Sequence, residues 1–159
     1  MKYLLTMVLS AVLLLSGCMS EGEADGLHSF DSSALQEEVS DAPYQPKLPT
    51  ELPYEVVKTD FTGALGDQTE DVVLDFRFIG ESDQQVLELM TFNGNDIEQR
   101  FETEPIDHAD FTGEYGEQQM ENGETVKLIM WKDEEVVYEL TTAGEVSKDK
   151  LIRVASSFE

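Results

Sequence analysis

The 159-residue sequence predicts an α+β domain: an antiparallel sheet built from two turn-plus-hairpin units, with a C-terminal helix packed on one of its faces. Three observations predict it. A nine-residue stretch recurs fifty positions further on. Each copy is followed by two apolar runs joined by a short polar turn, which is how hairpins read. The last dozen residues then carry apolar side chains at helical rather than alternating spacing.

The repeat aligns Asp60-Phe61-Thr62-Gly63-Ala64-Leu65-Gly66-Asp67-Gln68 with Asp110-Phe111-Thr112-Gly113-Glu114-Tyr115-Gly116-Glu117-Gln118, with six of nine positions identical. After the first copy come the runs Val72 to Ile79 and Val86 to Phe92, joined by Gly80-Glu81-Ser82-Asp83. After the second come Val126 to Trp131 and Val136 to Leu140, joined by Lys132-Asp133-Glu134-Glu135. In the first run Leu74, Phe76 and Phe78 alternate with Asp75 and Arg77, which places the apolar set on one face of a strand. Two readings apply to the Asp-Phe-Thr-Gly core of the repeat. In one, Asp60 and Asp110 are paired ligands about a pseudo-twofold axis. In the plainer one, which we favour, Phe plugs the core and Thr-Gly shapes the entry to a turn. Two copies are too few for a solenoid or propeller.

The closing element starts where Ser147 can cap a helix. Leu151, Ile152, Val154, Ala155 and Phe158 then share one face, and Gly144 breaks the chain after the last strand.

Upstream of the domain the chain changes character. Residues 1–17, MKYLLTMVLSAVLLLSG, open on Lys2 and continue into an apolar run from Leu4 to Leu15 broken only by Thr6 and Ser10. That run is shorter than the roughly 20 residues a spanning helix needs, and it reads as the core of a signal peptide. Leu15-Ser16-Gly17-Cys18 then resembles the bacterial lipobox in its Leu, small, Gly, Cys order. The resemblance implies cleavage between Gly17 and Cys18, diacylglyceryl transfer to the Cys18 sulfur, and an acylated (for example palmitoylated) N-terminus. Anchoring by two or more acyl chains is stable, because each buried methylene contributes about 0.8 kcal/mol.

From Cys18 to Leu52 the composition turns to Ser, Glu, Asp and Pro, and Pro43, Pro46, Pro49 and Pro53 disfavour helix. Residues 18–52 are therefore expected to be a flexible acidic tether, with at most a weak helical patch from Ser33 to Val39. Residues 53–159 form the single α+β domain. His28 falls in this tether, and a solvated imidazole is the plain reading.

Charge narrows the function classes. The chain carries 10 basic and 34 acidic residues; removing the leader takes Lys2 with it, leaving nine against 34 and a net charge of −25. Such a surface repels nucleic-acid phosphates, so nucleic acid is not an expected partner. The single Cys allows no intrachain disulfide. His28 and His108 are isolated in sequence and Cys18 is committed to lipid, so no zinc site, other metal site or cofactor is expected. No nucleophile elbow, phosphate-binding loop or dinucleotide fingerprint occurs. His108 has Asp107 and Asp110 beside it as potential orienting carboxylates, but no motif ties a nucleophile to it. The oxygen-rich stretch Asn93-Gly94-Asn95-Asp96-x-Glu98 misses calcium-loop spacing and reads better as a hairpin turn.

A further resemblance rests on the C-terminal third. Trp131, a polar turn, Val137-Tyr138-Glu139-Leu140, a Gly-containing link, then Ser147 and Leu151-Ile152-x-Val154-Ala155-x-Ser157 resemble the end of a domain-of-unknown-function family. That family recurs in extracytoplasmic parts of Bacillus-type lipoproteins, sporulation proteins and anti-sigma regulators. It implies an exported accessory or sensory module and brings no catalytic residues with it. The expected function is a non-enzymatic binding or sensing module, lipid-anchored at the extracytoplasmic face of the cell membrane, with an envelope protein or cell-wall component as partner. The alternatives are a lipid or lipoprotein carrier using the sheet as an apolar cradle and, third, a cell-wall-acting enzyme. A carrier requires a cavity between sheet and helix beside Phe76, Phe78, Trp131 and Tyr138.

Overall fold

A computed structural model describes residues 26–65, 72–93, 102–109 and 111–159. The expected leader, its cleavage point at Gly17 and Cys18, Asp110 and the stretch 94–98 lie outside the described residues. The elements run β1 (His28–Ser29), α1 (Ser33–Glu38), β2 (Glu51–Leu52), β3 (Lys58–Leu65), β4 (Val72–Ile79), β5 (Val86–Asn93), β6 (Thr103–Asp107), β7 (Thr112–Gln119), β8 (Thr125–Asp133), β9 (Val136–Ala143) and α2 (Lys148–Ala155). The architecture is α+β, as the sequence predicts.

Seven strands form one antiparallel sheet in the order β3-β4-β5-β9-β8-β7-β6. Two three-stranded meanders, β3-β4-β5 and β7-β8-β9, meet where β5 pairs with β9, and β6 adds an edge beyond the second meander. The repeat has a structural counterpart in this arrangement. A single transverse row reads Gly63, Leu74, Thr91, Tyr138, Trp131, Gly113. The two repeat glycines thus end the same row, one on each side of the central Thr91–Tyr138 pair.

One expectation is corrected. The Asp-Phe-Thr-Gly stretch does not enter a turn; Asp60 to Gly63 lie inside β3, and Thr112 and Gly113 open β7. Each unit is a three-stranded meander whose first strand carries the motif, not a turn followed by a hairpin. The physical reason is that glycine here serves packing. A Cβ on Gly63 would lie 3.6 Å from Phe61 Cζ, so the ring two residues back lies over the space beside the glycine, and Phe111 stands similarly close to Gly113.

Alternation sets the two faces, although on β8 and β9 Leu128, Val137 and Glu139 of the opposite face are buried as well. Leu74, Phe76 and Phe78 on β4, Leu87 and Leu89 on β5, Tyr138 and Leu140 on β9, and Ile129 and Trp131 on β8 are all buried on the core face. Phe76, Phe78, Leu87, Leu89, Ile129 and Leu140 have no exposed surface, and each such side chain contributes roughly 1.5–3 kcal/mol on burial. On the opposite face, Arg77 and Glu88 are register partners and form an ion pair of 2.9 Å.

The helix α2 is capped as the sequence indicates: Ser147 Oγ accepts from the Lys150 N–H at 3.2 Å, and Leu151, Val154 and Ala155 are buried. It is too small to cover the sheet alone. The seven strands span about 29 Å, whereas the eight residues of α2 make a rod about 12 Å long.

That mismatch explains the second correction, to the tether. Residues from Leu27 to Leu52 belong to the fold. Leu35, Val39, Leu48 and Leu52 are buried at 4, 1, 0 and 0 % exposure, and Leu27, Phe30 and Tyr44 pack against the same core. The patch at Ser33–Glu38 is a helix, with Asp31 Oδ1 accepting from the Ser33 N–H at 3.0 Å in place of a side-chain cap from Ser32. Beyond it the chain turns through residues 39–44 and then runs without helix past Pro46 and Pro49. Leu48 and Glu159 exchange backbone hydrogen bonds of 3.2 Å, Thr50 donates to Ser157 O at 3.1 Å, and β1 folds back on β2. His28 is exposed, in β1. Among the described residues no helix is long and apolar enough to cross a membrane.

Candidate functional site

A pocket of about 320 Å³ is lined by Lys47, Phe111, Trp131, Asp133, Tyr138 and Phe158 together with neighbouring residues. Its base follows from strand register. Trp131 and Tyr138 are opposite partners on β8 and β9, both on the core face, and their rings stack with centroids 4.9 Å apart and planes 7° apart. Phe158, just past α2, meets both rings edge-on at 5.0 and 5.8 Å, and Phe111 lies 5.6 Å from Trp131. Aromatic pairs in these geometries contribute about 0.5–1.5 kcal/mol beyond their area.

The rim is polar. The tight turn between β8 and β9, with Glu134 at φ 55°, brings Asp133 to the mouth, where it pairs with Lys47 Nζ at 2.7 Å. The Lys47 backbone N–H donates to Tyr138 Oη at 3.0 Å, so one residue closes the pocket at two levels. Asp133 raises the Lys47 ammonium above its ordinary value through their hydrogen bond and charge. Burial raises the Tyr138 phenol, against the lowering effect of the hydrogen bond from Lys47. Since the ion pair is exposed, its contribution to stability is about 0–1 kcal/mol. It is available to exchange for a ligand's charges.

His108 sits beside this pocket, its Nδ1 3.2 Å from Ser156 Oγ and its ring 5.9 Å from that of Phe111. Ser156 Oγ also donates to the Ile152 carbonyl at 3.0 Å. Its single proton is engaged there, so in this geometry the imidazole donates and the hydroxyl accepts. That arrangement closes a helix C-terminus.

A second concavity, of about 290 Å³, lies at the other end of the strands, between Pro53, Tyr54, Ser82, Gln85, Glu145 and Lys150. Tyr54 Oη donates to Phe78 O at 3.0 Å. Gly80 is packed so closely against Gln85 and Tyr54 that a Cβ there would lie 2.6–2.8 Å from their atoms.

The structure does not bring the two Asp-Phe-Thr-Gly copies together. Asp60 is on β3, where it pairs with Lys58 at 2.8 Å, and β3 and β7 are five strand spacings, about 24 Å, apart. No group of three or more His, Cys, Asp or Glu residues is placed to hold a metal ion among the described residues. Asn93 ends β5, and the rest of the oxygen-rich stretch lies outside the described residues.

The face away from the core carries an acidic row: Asp75, Met90, Glu139, Met130 and Glu114 are successive register partners. Burial, then the nearby Glu88 charge, raises the Asp75 carboxyl above its ordinary value, and its Oδ1 is buried without a hydrogen-bond partner.

The sequence places Phe158 on the apolar face of the final helix; in the structure it lies past α2, bridged to Pro49, with its ring against Trp131 and Tyr138. Lys47 carries no local signal, because only the folded early segment brings it to Asp133 and Tyr138.

The family model described as "Domain of unknown function (DUF4367)" matches residues 50–158, well over half of the chain. No curated protein and no solved structure matches the chain.

Proposed function

The chain belongs to the DUF4367 family, and we propose that it is an exported, lipid-anchored binding or sensing module whose ligand site is the aromatic pocket. The anchor part rests on sequence. An apolar run of signal-peptide length leads into Leu15-Ser16-Gly17-Cys18, in which Cys18 is the lipidated residue and the Gly17–Cys18 bond is cleaved. The resemblance to domains of Bacillus-type lipoproteins, sporulation proteins and anti-sigma regulators agrees with a place at the extracytoplasmic face of the membrane. A protein or cell-wall component of the envelope is the fitting partner.

The observation that carries the binding part is the pocket itself. Aromatic rings held rigidly by sheet register lie beneath a rim carrying both a cation, Lys47, and an anion, Asp133. The exposed lining is mainly polar, with the buried Trp131 and Tyr138 rings forming its floor, so a ligand would meet the rim groups first. The carrier reading needs open apolar space in the sheet's cradle. Phe76 and Phe78 have no exposed surface and belong to the packed core, and the space beside Trp131 and Tyr138 is the pocket itself, whose exposed lining is mainly polar.

Trp131 is the chain's single tryptophan, which makes the pocket self-reporting. Soluble peptidoglycan fragments and the purified ectodomains of envelope proteins that crosslink to the protein are titrated while Trp131 emission is read. A saturable spectral change, weakened in Asp133→Lys, is the expected result. Ligands that bind without altering Trp131 emission would place the site elsewhere. For the anchor, Cys18→Ala is expected to leave the membrane fraction, and mass spectrometry of the native protein is expected to show acyl mass on residue 18.

A further inference from the structure

We infer that the anchored protein stands with the Ser82–Gln85 end of its sheet toward the bilayer and its aromatic pocket opening away from it. The inference rests on lipidation at Cys18 and adds an orientation to it.

The segment between the two pockets serves as a ruler. Lys47 lines the aromatic pocket, and six residues later Pro53 lines the second pocket beside Ser82 and Gln85. Between them the chain bends at Thr50 and bonds in turn to Glu159, Ser157 and β1. The two pockets sit at opposite ends of β9, whose eight residues from Val136 to Ala143 span about 20 Å or slightly more. The chain upstream runs back along the same line: the Phe30 N–H donates to Thr50 O, and His28 pairs with Leu52. The Phe30 ring stands 5.3 Å from that of Phe78. Leu27 therefore leaves the fold level with Pro53, at the end far from the aromatic pocket.

The distance to the anchor is short. Gly26 is eight residues from Cys18. Eight residues reach at most about 28 Å whatever their conformation. To turn the pocket toward the lipid, the linker would first have to run back along about 20 Å of the domain's flank, leaving under about 10 Å to reach the anchor. With a tether of 34 residues, as the composition of 18–52 suggests, no such bias would exist. Burial of residues 27–52 in the fold creates it. Glu81, Asp83 and Glu145 at the near end are exposed and repel anionic headgroups, so the domain stands off the surface rather than lying on it. The pocket is thereby presented outward, to a partner in the wall or on a neighbouring protein rather than to lipid.

Full-length, natively lipidated protein is reconstituted into phosphatidylcholine vesicles carrying headgroup quenchers. Because Cys18 is the sequence's single cysteine and its sulfur is consumed by the thioether, Ser82→Cys or Thr112→Cys supplies a single thiol for a fluorophore. Quenching at position 82 is expected to exceed that at 112 by about twofold or more, given their difference in height of roughly 20 Å. An insertion of about 20 Gly and Ser residues after Ala24 is expected to erase the difference, since the longer chain spans either orientation. Equal or reversed quenching in protein that floats with the vesicles would overturn the orientation while leaving the anchor intact. A difference that survives the insertion would also overturn it, because the tether would not be its source. Protein that fails to float, with no acyl mass on residue 18, would instead remove the lipoprotein reading beneath it.

Discussion

Lys47 donates its backbone N–H to the phenolic oxygen of Tyr138 at 3.0 Å, although the two residues are 91 positions apart. The bond ties the chain that precedes the sheet to the central strand pair. It also holds the Lys47 side chain over the pocket, against Asp133. The early segment therefore supplies part of the pocket's rim.

The early segment should be indispensable. Leu48 has no exposed surface, and Leu48→Ala is expected to cost about 2–5 kcal/mol in urea unfolding. A chain begun at Pro53 should expose the core face and lose cooperative unfolding. If it unfolded with the unchanged midpoint and slope, residues 27–52 would contribute nothing to the cooperative core.

Tyr138→Phe tests the link itself. The ring stack on Trp131 survives, but the Lys47 N–H loses its acceptor, which costs about 1–3 kcal/mol when the donor stays buried. Trp131 emission should shift little in the free protein. An unchanged stability would mean that water replaces the phenol at no cost.

The two repeat glycines should respond differently to the same change. At Gly113 a Cβ would lie 2.5 Å from the Met130 carbonyl oxygen, a backbone atom that cannot step aside. Gly113→Ala is expected to lose about 1–3 kcal/mol through overpacking. At Gly63 the nearest atoms are side-chain carbons at 3.6 and 3.7 Å, and Gly63→Ala should be close to neutral. Equal effects in thermal unfolding would contradict the packing described for the motif.

Alkaline pH should weaken the fold. Tyr44, Tyr54, Tyr115 and Tyr138 all titrate above the ordinary value of 10.0, chiefly through burial. A folded pKa raised above the unfolded one gives stability that is complete below pH 10 and lost as pH rises through the folded values. Melting temperature should therefore fall above about pH 10, with phenolate absorbance appearing together with unfolding. Phenolate absorbance rising in the still-folded protein near pH 10 would rule this out.

Asp75 should act in the opposite range. Its carboxyl is raised by burial and by Glu88, so the native state binds its proton more tightly than the unfolded chain does. The stability linked to it is complete below the ordinary value of 3.8 and is lost as pH rises through the folded value. Asp75→Asn, which stays neutral, is expected to raise the melting temperature at pH 7 and to flatten the pH dependence between 4 and 7, by about 1 kcal/mol or less after partial solvent screening. A lower melting temperature at pH 7 would show that the carboxylate has a partner.

Much of the fold was legible because its signals are local. Leu74, Phe76 and Phe78 alternate along β4, and α2 begins at Ser147 and buries Leu151, Val154 and Ala155, as spacing alone implies. The fifty-residue repeat announced two related units. Its turn assignment failed because Thr-Gly is a turn signal only when nothing packs across the glycine. In this fold Phe61 and Phe111 do.

The sequence by itself determined the α+β class, the faces of the strands, the capped final helix and the acidic surface, since each depends on neighbours within a few residues. Only the tertiary structure decided that residues 27–52 belong to the body of the domain. Their apolar side chains fall at irregular intervals along a proline-rich path, and no periodicity marks them. Their burial follows from a deficit elsewhere: one eight-residue helix cannot cover a seven-stranded sheet. The pocket has the same origin, because Lys47, Trp131, Tyr138 and Phe158 meet only when that uncovered face is closed.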